Sequence, residues 1–270
     1  MIKTLANILF PKKCIFCGSV LPVGAPICIC EECAPHIPYY AGDYLFNSAG
    51  HSDNYLSSSA SHSGNYLSSS ANRSGDYRSN SAGHSGGKVC DRILCALKYD
   101  GAVRKTLSRY KFYGRGEYGL TLAALLCERV VGTEAERVDE YDLVTCVPLT
   151  HKRMRERGYN QAAILAYYTA QSLSLAFAGD LLSRDEGALR QSTLQRSERY
   201  KNAQTTFHIN EQTAHALAST NAPLHTAPLS GMHILLVDDI ATSMSTLNAC
   251  AAVLKAAGAH EVIGAVLASA

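Results

Sequence analysis

The segment from His233 to position 267 constrains the fold more than any other part of the chain. His-Ile-Leu-Leu-Val at 233–237 is a short unbroken apolar run, the pattern of a strand buried on both faces. It ends in Asp238-Asp239, passes through the hydroxyl-rich turn Thr242-Ser243-Met244-Ser245-Thr246, and opens an apolar-periodic helix over 247–257 that Gly258 stops. A last apolar run, 262–267, follows at once. A helix between two such strands carries the chain back across the sheet, so the strands lie parallel. Upstream, 102–110 and 120–131 have helical apolar spacing, 141–148 reads as a buried strand ended by proline, and 161–177 is an Ala/Leu-rich helix. The expected fold over 88–270 is α/β, a parallel sheet flanked by helices.

The turn after 237 carries chemistry. Hydroxyls and free backbone N–H groups at a helix N-terminus form a cradle for an anion. Two acids at the C-terminal end of a strand can hold ribose hydroxyls, directly or through hydrated Mg2+, in the crevice where open α/β sheets bind ligands. The plainer reading is an ordinary N-cap with two solvated acids. Lys152, Arg153, Arg155 and Arg157 follow the expected strand at 141–148 closely enough to neutralise a diphosphate, or else form a solvated basic face. Arg157-Gly-Tyr-Asn-Gln fits either a lid or a helix entry. A basic amphipathic segment over 184–201 suits a surface helix as well as a nucleic-acid contact. Net charge is only +2, but its distribution is uneven: beyond 206, one lysine, Lys255, stands against Glu211, Asp238, Asp239 and Glu261.

Five of the ten cysteines lie between positions 14 and 33. Cys14-Ile-Phe-Cys17 and Cys30-Glu-Glu-Cys33 are C-x-x-C pairs 12 residues apart. A two-residue gap lets one knuckle turn present two thiolates to one ion, and four soft ligands satisfy tetrahedral Zn2+. Cys28 competes with Cys30 as third ligand; Cys30 keeps the x-x spacing. Four cysteine ligands leave no open position, which points to structural zinc. Cys90, Cys95, Cys127, Cys146 and Cys250 sit in apolar context as small buried hydrophobes.

Between these parts, 41–87 repeats every 11 residues with Tyr44, Tyr55, Tyr66 and Tyr77 in register. Ser, Gly and Asn dominate, and one tyrosine per unit cannot build a core, so a disordered linker is expected. The organisation is therefore a four-cysteine zinc-binding module over 1–40, the repeat linker over 41–87, and an α/β domain over 88–270. No run long and apolar enough to span a membrane occurs, and 1–10 lacks the apolar core of a signal peptide, so a cytoplasmic protein is expected.

The stretch from His233 to Thr246 resembles the signature of type I phosphoribosyltransferases, an apolar strand, Asp-Asp, then Thr-Thr-Gly-x-Thr. The resemblance implies that Asp238 and Asp239 bind the ribose of 5-phosphoribosyl diphosphate (PRPP) with Mg2+. It implies that Thr242, Ser243, Met244, Ser245 and Thr246 form the 5′-phosphate loop, with Met244 where the motif has Gly. Val147-Pro-Leu-Thr-His-Lys-Arg-Met-Arg-Glu-Arg-Gly-Tyr-Asn-Gln-Ala, the run Gln191-x-x-Leu194-x-x-x-x-Arg199-x-x-Asn202, and Tyr99-x-Gly101 with Lys111-Phe112 resemble the ComF branch. That branch places a zinc module ahead of a transferase domain and is associated with natural transformation. It implies Lys152 and Arg153 as pyrophosphate ligands. The activity is then ribose-5-phosphate transfer to a nitrogen acceptor, or a non-catalytic handling of imported single-stranded DNA beside a competence helicase.

Overall fold

The computed structural model describes residues 11–47, 90–112, 117–185, 206–218 and 227–270. The chain divides into two units, Met1–Ser48 with Lys88–Ala270 and Ala49–Gly87. The second unit lies outside the described residues, as does most of the basic segment expected over 184–201, with Gln191, Leu194 and Arg199. Within the first unit the chain order is β1 (Phe46–Asn47), β2 (Arg92–Lys98), α1 (Gly101–Phe112), α2 (Tyr118–Glu134), β3 (Leu143–Cys146), α3 (His151–Arg157) and α4 (Gln161–Leu173). There follow β4 (Ala176–Ala178), β5 (Leu182–Arg184), β6 (Phe207–Ile209), α5 (Glu211–Leu217), β7 (His233–Ala241), α6 (Ser245–Ala256) and β8 (Glu261–Ser269).

The main sheet runs β1-β2-β8-β7-β3-β4; β5 and β6 form a separate antiparallel pair. Every pairing from β2 to β4 is parallel, and β1 joins the edge antiparallel. Alternate side chains of the central strands face opposite ways, as the pleat requires. Leu235 and Val237 of β7, with Ile263 and Ala265 of β8, enter one apolar core beneath α1, α2 and α4. Ile234 and Leu236, with Val262 and Val266, enter a second beneath α6. A sheet covered on both faces needs strands apolar throughout, and this is why 233–237 reads as an unbroken run. Close packing of α2 on α4 depends on Gly119, where an added Cβ would run into Ile164.

Two elements depart from the sequence reading. The helix expected over 161–177 stops at Leu173: Ser174 takes a left-handed φ of 57° and its N–H closes onto the carbonyls of Ala170 and Gln171. The chain then turns into β4, whose backbone finds partners on β3 that a longer helix would forgo. β2 goes unassigned in the sequence because Ile-Leu-Cys-Ala-Leu suits a buried helix as well as a buried strand. Only its parallel partner β8 decides between them.

The cysteine-rich segment packs into the first core rather than standing apart. Cys14, Ile15, Leu21 and Cys28 are buried in it. The Cys28 N–H donates to Thr121 Oγ1 of α2 at 2.8 Å, and Thr106 Oγ1 of α1 donates to the Ile15 carbonyl at 2.6 Å. Tyr44, the first of the in-register tyrosines, donates its hydroxyl to Glu134 Oε1 at 2.6 Å. Glu134, 3% exposed, also meets Arg92 Nε at 3.2 Å. Arg92 and Arg137 both reach on to Glu261, at 3.0 and 2.7 Å.

Removing one partner from such a buried network strands the others without compensation. Glu134→Ala is expected to lower unfolding stability by about 3 kcal/mol, measured by urea denaturation of the full chain; a change below about 1 kcal/mol would show the network to be solvent-screened.

Candidate functional site

β3 and β7 stay paired through Cys146↔Val237 and then separate. The last bond between them is Val147 N–H to the Val237 carbonyl at 3.0 Å; Pro148 has no N–H to continue the ladder. β7 continues to Ala241 against β8 alone. From β3 the chain proceeds to β4 on one side, and from β7 to β8 on the other. The gap between them is thus the point where the winding reverses, the expected crevice of an open α/β sheet. Asp238 and Asp239 stand at its mouth.

The resulting cleft of about 160 Å³ is walled by residues of six elements and their flanking turns, Lys111, Arg153, Arg157, Gln161, Arg184 and the two acids among them. The acids differ. Lys111 Nζ lies 2.9 Å from Asp239 Oδ1. Asp238 accepts the Asp239 N–H at 2.8 Å, but burial and then the neighbouring Asp239 charge push its carboxyl up to about 7. Lys111 is delivered by the end of α1, which is tied to the next helix pair by two tyrosines. Tyr110, fully buried, donates to the Gln161 carbonyl at 2.9 Å, and Tyr159 donates to the Tyr110 carbonyl.

Arg157-Gly-Tyr-Asn-Gln is a helix-to-helix turn. Gly158 closes α3 at φ 79°, and the Asn160 side chain caps α4 by accepting the Ala162 N–H at 3.0 Å. Arg157 lies over the Phe112 ring at 5.2 Å and donates to Gln161 Oε1 at 2.9 Å. Of the two residues expected at a diphosphate, Arg153 lines the cleft, whereas Lys152 is exposed on α3 and is not among the lining residues.

Beyond the acids the chain reaches the turn before α6. Thr246 lines the cleft; Thr242 and Ser243 are exposed and Ser245 half-buried beside it, the two serine hydroxyls 2.8 Å apart. The first N–H groups of α6 have no partner within the helix and face this turn. Met244 adopts φ 58°, the left-handed region where Gly carries no Cβ penalty. Its side chain packs onto the second core.

Lys111 and Gln161 fall in stretches that carry the resemblance and Arg184 in none, and the sequence does not say that the three line one cleft. Lys111 ends an ordinary amphipathic helix, and Arg184 sits on a three-residue strand. Their convergence is a product of tertiary folding.

In the segment that Thr106 of α1 holds through the Ile15 carbonyl, the Sγ atoms of Cys14, Cys17, Cys30 and Cys33 lie within 4.8 Å of one another, with Cys17 and Cys30 at 3.6 Å. A tetrahedron with ~2.3 Å metal–sulfur bonds has edges of about 3.8 Å, so the cluster fits one structural metal ion. Cys28 turns into the apolar core instead.

A carboxyl raised in the fold stabilises the native state while protonated, and that contribution is lost as pH climbs from its unfolded value near ~3.9 through the folded value of about 7. Asp238→Asn is therefore expected to be more stable than the parent at pH 8 without added ligand, by a margin that narrows toward pH 5.5. Thermal melts across this range check it; a constant margin would refute the buried-charge account.

The model of the phosphoribosyl transferase domain matches residues 160–270. A DNA utilization protein, YhgH, of Salmonella typhimurium is 26% identical over 172 residues, covering 63% of this chain and 69% of that one. Competence protein F of Haemophilus influenzae is 28% identical over 159 residues, covering 58% and 63%. Among solved structures, the glutamine PRPP amidotransferase from B. subtilis aligns at a TM-score of 0.36 and 15% identity, over 58% of this chain and 30% of that one. No helix among the described residues is long and apolar enough to cross a membrane. The chain is thus similar to proteins named for competence and DNA utilization, and it carries a match to the phosphoribosyl transferase domain over 160–270 behind a four-cysteine cluster.

Proposed function

We propose that the cleft binds PRPP with Mg2+ and transfers its ribose-5-phosphate to a nitrogen acceptor, releasing pyrophosphate. One observation carries this reading: Asp238 and Asp239 emerge where β3 leaves β7, and the same chain opens directly into the N-terminus of α6. Acids for a ribose diol and N–H donors for a phosphate thus stand in sequence along one wall, in the order a sugar phosphate presents its groups. Asp239, paired with Lys111, is a ready acceptor of a ribose hydroxyl. The N–H groups and hydroxyls of the Thr242–Thr246 turn take the 5′-phosphate. Arg153 faces the leaving diphosphate.

Cleavage of the C1–O bond passes through an oxocarbenium-like state, with negative charge growing on the departing diphosphate. Bound Mg2+ would supply further charge neutralisation there. The protein's part is to hold the ribose still and offset the leaving charge. The four-cysteine cluster we read as structural zinc, bracing α1 through the Ile15–Thr106 contact.

A second reading rests on a different observation. Lys152, Arg153 and Arg155 are exposed on α3, and the two relatives carry names of competence and DNA utilization. These fit salt-sensitive contact with single-stranded DNA, a role in which a helicase partner would have a place.

Calorimetric titration of the metal-loaded chain with PRPP and Mg2+ tests the first reading. Micromolar binding, weakened at least ~30-fold, or about 2 kcal/mol, in Asp238→Asn/Asp239→Asn, is the expected result. Absence of heat in a folded sample would transfer the case to single-stranded DNA, whose affinity should then fall steeply with salt. Zinc chelation is expected to lower the melting midpoint by ~5 °C or more, on the order of 2 kcal/mol; an unchanged melt after complete metal loss would remove zinc from the fold.

A further inference from the structure

The four clustered cysteines differ in access. Cys14 is fully buried in the first core, Cys30 and Cys33 are half-buried, and Cys17 is exposed. The inner side of this segment is held by groups other than sulfur. Ile15 donates its N–H to the Cys28 carbonyl at 2.8 Å, Thr106 donates to the Ile15 carbonyl, and the Cys28 N–H goes to Thr121. The Cys14 N–H donates to the Ser19 carbonyl at 2.8 Å, so backbone bonds fix Cys14 and its neighbour in place. Cys17 lies on the outer side, with the Ser19 N–H donating to its sulfur at 3.5 Å and the Ser19 Oγ 3.1 Å away. Its sulfur stands 3.6 Å from that of Cys30, a member of the other C-x-x-C pair.

A thiol that coordinates a metal is deprotonated, and the thiolate is the nucleophile. Exposure then decides which of four thiolates a dissolved oxidant meets first, and here it is Cys17. We propose that Cys17 and Cys30 form a peroxide-sensitive thiol–disulfide pair, whose bond replaces the metal as the tie between the two C-x-x-C turns. The Cys17 thiolate attacks one oxygen of hydrogen peroxide and the O–O bond breaks. One oxygen stays on sulfur as a sulfenic acid and the other leaves as hydroxide. The Cys30 thiolate then attacks that sulfur, forming the S–S bond and expelling a second hydroxide. The two thiolates lose the two electrons that the peroxide gains. A disulfide measures ~2.05 Å, so the sulfurs close by about 1.5 Å from their 3.6 Å separation, within the reach of side-chain rotation. Cys14 and Cys33 remain, too few for a tetrahedral ion, so the metal site is dismantled as the bond forms. The folded segment survives, because its inner hydrogen bonds do not involve sulfur. This rests on the reading of the cluster as structural zinc and adds a redox role to it.

The test treats the full, zinc-loaded chain with hydrogen peroxide, follows zinc release with a chromogenic chelator, and maps disulfides by proteolysis and mass spectrometry. One zinc is expected to leave for each Cys17–Cys30 bond formed, and dithiothreitol with added Zn2+ to restore the starting state. The oxidised, metal-free chain is expected to melt within ~2 °C of the zinc-loaded one, with the reduced, chelated chain melting lower than both. Cys17→His keeps a fourth ligand for zinc and removes the thiolate, so it is expected to release the metal at least ~10-fold more slowly. Disulfides confined to Cys14–Cys17 or Cys30–Cys33 overturn the proposal, and this mapping needs no variant to fold. Release from Cys17→His at the parent rate, or an oxidised chain melting as low as the chelated one, overturns it too. If the Cys17–Cys30 bond forms in a chain that never takes up zinc, the pair stands and the zinc reading falls. If zinc is bound and peroxide leaves it in place, the reverse holds.

Discussion

Hydrogen bonding of β7 governs the rest of the molecule. As a central strand it must pair on both sides while its backbone is buried, and it does so only as far as Val237. Past that residue β3 departs at Pro148 and one flank of β7 is released. The polar residues begin at this point: four buried apolar residues precede Asp238, and charge appears where the neighbouring strand no longer covers the chain. The acid pair is therefore fixed by the most rigid element of the fold. A carboxyl held there, half-buried and beside the Asp239 charge, is pushed above the ordinary aspartate range, as at Asp238.

α1 links the two chemical centres. Its Thr106 holds the carbonyl of Ile15 inside the cysteine knuckle, and five residues on, Lys111 reaches Asp239. Between them Tyr110 is fully buried and bonded to the start of α4. Displacing the knuckle would thus be felt at the acids through one and a half turns of a packed helix. The cysteine cluster and the cleft are parts of one scaffold, sharing a single apolar core.

What could be read from the sequence follows from which interactions are local. The strand–acid–turn–helix run at 233–257 is contiguous, so its residues announce both the fold class and the acid pair. The C-x-x-C pairs bring two thiols together by spacing alone, and the preference for Cys30 over Cys28 rests on that spacing. Lys111, Gln161 and Arg184 come from three distant segments; Lys111 and Gln161 stand in stretches that carry the family resemblance, but no local pattern says that the three meet at one cleft. β4 was hidden because Ser174, an ordinary helix-surface residue by type, ends the helix in a left-handed conformation. Lys152 is not among the residues lining the cleft, whereas Arg153 is, because a basic run on a helix distributes its charges around the axis and neighbours point in different directions.

The antiparallel pairing of β1 with β2 sets Asn47 opposite Arg92. The two ends of the repeat-bearing stretch are thereby fastened side by side on the sheet edge, and Tyr44 anchors one of them to Glu134. The pairing of Asn47 with Arg92 therefore sets the distance that the intervening chain must span, whatever the number of 11-residue units it carries.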